Sequence, residues 1–230
     1  MKVMILAAGK GHRMLPLSRS IPKPLLSVNG QSLIERHIER LAEAGFSEML
    51  INLYHLGEKI EHLVGDGSRW GVEIHYSRED GPLETGGGIT NALGFLSAGK
   101  QQSEAAFAIV NGDIWTDYNF SHLPDHLDPG LMGHLVMVDN PEHHSQGDFV
   151  INRQGRLIHK GQKQVETLTY SGISILSPDL FANCVAEPFP LLKLLAPAVT
   201  ANQFTAEYFE GYWADVGTIE RYEKLLKDQA

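Results

Sequence analysis

The sequence predicts an α/β protein: a three-layer, Rossmann-like fold around a mixed, mostly parallel sheet. Three observations carry that reading. Short, near-continuous apolar runs at 2–8 and 106–110 fit strands buried on both faces of a parallel sheet. Helical patterns alternate with strands through the first half, as right-handed crossovers require. The first run also ends in Gly9-Lys10-Gly11, where open α/β sheets present ligand-binding loops.

After the strand at 2–8, Pro16, Pro22 and Pro24 prevent a long helix. Residues 31–44 read as an amphipathic helix with Leu33, Ile34, His37, Ile38, Leu41 and Ala44 inward and Gly45 as the stop. A strand at 48–54, a helix at 56–64 and a strand at 72–76 follow. A helix at 86–96 opens on a glycine cluster, and the strand at 106–110 runs into Asn111-Gly112-Asp113. Residues 131–138, 149–151, 157–159 and 167–176 look extended with only short helices between, suggesting an antiparallel or mixed extension of the sheet. A strand at 205–210 and a helix at 219–227 close the chain. No linker-like stretch interrupts it, so residues 1–230 are expected to form one domain.

Composition narrows the function. A net charge of −9 argues against general nucleic-acid binding. No apolar run approaches the ~18 residues of a membrane span, and the run at 3–8 is too short for a signal peptide. A lone cysteine, Cys184, excludes an internal disulfide and fits a reducing cytoplasm. No membrane contact and no obligate protein partner are expected.

Against this acidity, the first 34 residues hold five basic side chains (Lys2, Lys10, Arg13, Arg19 and Lys23) and no acidic one. Glycines beside such charge let backbone amides approach a phosphate. Two familiar phosphate loops fail here. Met14 replaces the third glycine of a dinucleotide fingerprint, and the next strand ends in Asn52-Leu53-Tyr54 rather than an acid. No Gly-Lys-Ser/Thr run supplies a Walker A loop. Prolines on both sides of Lys23 stiffen its backbone and aim its ammonium. Asp113 should emerge at the same sheet edge, and Asp215 again follows an expected strand.

The run LAAGKGHRM with PKPLL resembles the signature of the sugar-1-phosphate nucleotidyltransferases. PLETGGGI, VNGDIWTDYNF, DNPEHHSQGDF, TYSGISIL and GYWADVGTIERY extend the likeness over nearly the whole chain, most like the short N-acetylmuramate-1-phosphate uridylyltransferases of cell-wall recycling. The resemblance implies a nucleotide-binding part at about 1–115 and a sugar-binding part at about 116–218. It implies UTP, or another nucleoside triphosphate, and a sugar-1-phosphate as substrates.

It assigns Mg²⁺ to Asp113 and Asp215, which suits an ion that takes few carboxylates and keeps phosphate and water ligands. Arg13 and Lys23 join them as catalytic candidates. Nucleotide contacts fall on Leu6, Ala7, Ala8, Gly9, Gly11, Arg13, Lys23, Leu83, Glu84, Thr85 and Gly86, with Gly86 allowing close approach to the base. Asn111, Gly147, Ser171 and Gly172 are the expected sugar contacts.

The chain departs from the family where a Glu-Lys-Pro segment is expected, reading His159-Lys160-Gly161-Gln162-Lys163-Gln164. Glu166 is one substitute for the missing carboxylate; Lys160 or Lys163 facing an anionic sugar substituent is another. Trp115 and Tyr118 read equally as pocket wall or core. His122, His126, His143 and His144 lack the further ligands of a transition-metal site, and His12 reads as an exposed loop histidine rather than a base. Alternatives are glucose-1-phosphate thymidylyl or uridylyl transfer, mannose-1-phosphate guanylyl transfer, and a catalytically silent nucleotide-sugar-binding regulator.

Overall fold

The computed structural model describes residues 1–99, 105–160 and 166–230. Strand β1 (Val3–Leu6) lies inside the sheet, with Val3, Met4 and Ile5 fully buried. Short strands β2 (Ser27–Val28) and β3 (Gln31–Ser32) form a small hairpin before helix α1 (Leu33–Glu43). Ser32 and Glu35 close a capping box at the start of α1, satisfying two backbone N–H groups there. Next come β4 (Glu48–Leu53), α2 (Gly57–Val64), β5 (Glu73–Arg78), α3 (Glu84–Leu96), β6 (Phe107–Asn111) and β7 (Ile114–Thr116). The later half adds β8 (Gly133–Val138), β9 (Phe149–Ile151), β10 (Leu157–His159) and β11 (Thr169–Leu176). It ends in α4 (Leu192–Thr200), β12 (Phe204–Tyr208), β13 (Trp213–Asp215) and α5 (Ile219–Asp228).

Seven strands form one sheet in the order β12-β8-β11-β6-β1-β4-β5. Only β11 runs antiparallel to its neighbours β6 and β8, so the extension of this sheet holds a single reversed strand, and β9 and β10, expected in the same sheet, instead pair with each other in a separate antiparallel ladder. Alternate residues of β1 serve opposite faces. Val3 and Ile5 pack with Ile34, Ile38 and Leu41 of α1, while Met4 packs with Ile89, Ala92 and Leu96 of α3. A third cluster joins Met14, Leu26 and Val28 from the proline-rich segment to Trp115, Val216 and Leu225. That cluster brings the N-terminal segment against the C-terminal motif. Sequence periodicity missed α4, because Pro197 stands inside it, and missed the two-stranded ladder of β7 and β13.

Candidate functional site

Strands β1 and β6 end side by side, Leu6 in register with Asn111. The Gly112 N–H donates to Leu6 O at 2.9 Å, and a β-carbon at Gly112 would lie 2.7 Å from that oxygen. Only glycine lets the two strand ends close like this. Beyond them opens a cavity of about 360 Å³ lined by Leu6, Ala7, Ala8, Gly9, Lys23, Leu83, Glu84, Thr85, Asn111 and Asp113, with Lys10, Pro24, Asn52, Glu79 and Pro82. Ten expected site residues thus share one cavity.

Lys23 reaches into it from the turn Lys23–Leu25 and pairs with Asp113 Oδ2 at 3.0 Å. The other N-terminal charges, clustered in the sequence, disperse in the fold. Lys2 sits at the opposite end of β1, where Nζ donates to Phe95 O at 2.9 Å. Lys10 lies over the Tyr54 ring and borders both this cavity and a neighbouring one of about 510 Å³, which also holds His12 and Arg19. Arg13 is exposed on the turn His12–Met14 and does not line the cavity.

Glycines of the expected base loop also act differently. A β-carbon at Gly86 would strike the Phe189 ring at 2.1 Å, and one at Gly87 would strike Glu187 O at 2.1 Å. These positions admit the protein's own segment, and Gly86 is not at the cavity surface. Gly11, at φ +65°, closes on Ser18, whose hydroxyl donates to Gly11 O at 2.8 Å. The lip of the loop is formed by Leu83 to Thr85, where Glu84 holds an uncommon φ of +57° and keeps its side chain exposed.

Sequence reasoning missed the pair beneath that loop. Asn52 Oδ1 accepts from the Ala7 N–H at 2.8 Å, and Asn52 Nδ2 donates to Glu79 Oε1 at 2.7 Å. Glu79 Oε2 accepts from the Leu83 N–H at 3.3 Å. This relay joins the first loop to the base loop through three elements. Burial pushes the Glu79 carboxyl above its usual range. The acid sought at the end of the second strand stands one strand further on, just after β5. An asparagine ending an apolar strand was the available signal.

Asp215 lies beside Asp113 along the main chain. It pairs with Ile114 across the β7–β13 ladder, and the Val216 N–H donates to Asp113 O at 2.7 Å. Its carboxylate faces a second cavity of about 360 Å³, lined also by Asn140, His143, Trp213, Arg221 and Lys224. There Asp215 Oδ2 accepts from Arg221, while Oδ1 is buried without a hydrogen bond. No cluster of three or more His, Cys, Asp or Glu side chains suits a metal among the described residues. His37 anchors the ladder from α1. Its Nε2 donates to Ile114 O at 3.0 Å, and full burial pushes its pKa down to about 4.

On the sugar side, Gly172 at φ +86° sits where β11 shifts register against β8, and a β-carbon there would meet Asn111 Nδ2 at 2.5 Å. Ser171 is buried and its carbonyl accepts from Trp213 Nε1 at 2.9 Å. Gly147 is buried, and its carbonyl accepts from Nζ of the exposed Lys160 at 2.9 Å, which gives the ammonium a partner in the chain itself. Glu166 is exposed; Lys163 falls outside the described residues. Trp115 and Tyr118 belong to the core: Trp115 is 4% exposed under the Arg36 guanidinium, and Tyr118 is 1% exposed.

A family model described as Nucleotidyl transferase matches residues 2–230. The chain belongs to the nucleotidyl transferase family. It is 41% identical to an N-acetylmuramate alpha-1-phosphate uridylyltransferase of Neisseria meningitidis, over 97% of this chain and 96% of that one. It is 28% identical to a Drosophila melanogaster mannose-1-phosphate guanylyltransferase catalytic subunit beta, over 94% of this chain but only 59% of that protein. Among solved structures, a Bacillus anthracis protein crystallised with sucrose shares the fold at a TM-score of 0.81 and 16% identity, over 100% of this chain and 95% of that one. HddC of Yersinia pseudotuberculosis, solved with GMP-PN, superposes at a TM-score of 0.76 with 24% identity, over 100% of this chain and 99% of that one. No helix among the described residues is long and apolar enough to cross a membrane.

Proposed function

We propose that the protein transfers UMP from UTP to N-acetylmuramic acid α-1-phosphate in the cytoplasm, releasing pyrophosphate. The observation that carries this reading is 41% identity to a uridylyltransferase of nearly the same length, with 97% of one chain and 96% of the other aligned. The cavity at the ends of β1 and β6 supports it chemically.

Leu6 to Gly9 and Leu83 to Thr85 would hold the nucleoside, whose uracil edge offers alternating acceptors and a donor to backbone groups. Lys23 neutralises phosphate charge, and Lys10 stands at the rim for the triphosphate tail, with exposed Arg13 on the following turn outside the cavity lining. Asn111, Ser171, Gly172 and Gly147 frame the sugar. A phosphate monoester has its second pKa at about 6, so the acceptor is a dianion near neutral pH and needs no general base. Its oxygen attacks the α-phosphorus, the bond from that phosphorus to the bridging oxygen breaks, and pyrophosphate leaves with the electron pair. Catalysis is then positioning and charge neutralisation.

Asp113, from the first cavity, and Asp215, from the second, would share a divalent ion, with Mg²⁺ the one that suits two carboxylates and phosphate oxygens. Their strand ends are tied by the Val216–Asp113 hydrogen bond, and Asp215 Oδ1 is buried with lone pairs unused. A divalent ion bound there supplies charge neutralisation at the phosphates.

The test is pyrophosphate release with UTP, dTTP or GTP against N-acetylmuramate-, glucose- and mannose-1-phosphate. The expected outcome is the highest kcat/KM for UTP with N-acetylmuramate-1-phosphate. A preference for GTP with mannose-1-phosphate would reassign the enzyme, and no release with any pair would leave a nucleotide-sugar binder.

A further inference from the structure

Asp215 is clamped on one side only, and the clamp is itself built into the motif. Arg221 occupies the first turn of α5, where its N–H donates to the Thr218 hydroxyl at 3.4 Å. Its guanidinium fills the space beside Gly217: a β-carbon there would lie 2.7 Å from Nη2 and 2.8 Å from Cζ. Glycine at 217 is therefore what seats the guanidinium. From that seat Nη1 donates to Asp215 Oδ2 and to His143 Nε2, the latter at 2.8 Å.

The other carboxylate oxygen is left open. Asp215 Oδ1 is 3.0 Å from His143 Nε2 yet makes no hydrogen bond. The carboxylate has one oxygen fixed by Arg221 and one buried oxygen that faces the His143 ring without a hydrogen bond.

We propose that Arg221 is a positioning residue that fixes Asp215 so that Oδ1 is the oxygen offered to the divalent ion; this rests on the ion site proposed above. Partners of ligating carboxylates orient the ligand, and their loss commonly weakens metal binding about 10- to 100-fold. The contrary role is a counter-ion that competes with the metal for Asp215. The two roles predict opposite signs.

The deciding experiment titrates Mn²⁺ alone into the full chain and follows the free ion by electron paramagnetic resonance. Arg221→Met should weaken Mn²⁺ binding by about 10- to 100-fold, and Arg221→Lys should recover part of the loss. Gly217→Ala, which displaces the guanidinium while keeping both charged residues, should weaken binding in the same direction. Equal or tighter binding by Arg221→Met overturns the inference, and if that variant fails to fold, Arg221→Lys and Gly217→Ala decide it by the same sign. Asp215→Asn separates the two levels. If it binds Mn²⁺ like the unaltered protein, or the unaltered protein binds none, the ion site itself is wrong and Arg221 has nothing to position. If it loses binding while the Arg221 and Gly217 variants do not, only the role of Arg221 falls.

Discussion

The cavity at the ends of β1 and β6 and the cavity around Asp215 are joined through the β7–β13 ladder, and they are built in contrasting ways. The first is made largely of strand-end backbone and small side chains, with Lys23 paired to Asp113. The second is made of side chains from segments far apart in sequence: His143, Asp215 and Arg221 meet across as many as 78 positions. Backbone amides at strand ends are fixed by the sheet and serve any phosphate. Side-chain clusters depend on each member's support, so the second cavity is where selectivity and ligand geometry are expected to reside.

The largest expected effect tests whether chemistry is concentrated at the Lys23–Asp113 pair. Asp113→Asn should lower kcat about a thousandfold, the scale for losing a group that stabilises transition-state charge. Lys23→Met should cost about a hundredfold, and the double variant less than the product, since the two side chains touch. Additive losses would separate their roles.

A second test concerns the wall that carries both aspartates. Burial depresses the His37 pKa from 6.5 to about 4 in the folded protein. The stability of the neutral ring is fully present above pH 6.5 and is lost as pH falls toward 4. Urea unfolding should therefore show a decline reaching about 3 kcal/mol across that window, and His37→Gln should flatten it. An unchanged slope in the variant would assign the decline to other groups.

Asn52→Ala strips partners from the Ala7 N–H and from Glu79, and should cost about 2 kcal/mol of stability by urea unfolding. It should also raise the KM for UTP, because both loops of the first cavity hang on that side chain. The smallest effect is expected on the sugar side. Lys160→Met should change the KM for the sugar phosphate by less than about fivefold, since its ammonium is bound to the Gly147 carbonyl. A larger change would return Lys160 to the sugar.

This contrast also explains what the sequence revealed. Strands with continuous apolar runs, the amphipathic α1, Lys23 between prolines and Asp113 after a buried strand were legible because each is a local pattern. The Asn52–Glu79 relay was not, since its members stand 27 residues apart and meet only because β4 and β5 are neighbours in the sheet. Nor was the seat of Arg221 on Gly217, which depends on how α5 returns against β13. The glycines at 86–88 were visible, but what approaches them was not. A glycine signals a close approach, not what approaches, and here Phe189, Glu187 and the Asn52–Glu79 pair fill the space.

The central claim is that one nucleotide pocket at the ends of β1 and β6 places its phosphates between Lys23 and an ion held by Asp113 and Asp215. A crystal structure with UTP and Mn²⁺ tests it most directly. The account predicts a uracil between Ala7–Gly9 and Leu83–Thr85, with an anomalous Mn²⁺ peak touching both aspartates and the α-phosphate. An ion bound away from either aspartate, or a nucleotide outside this cavity, would contradict it.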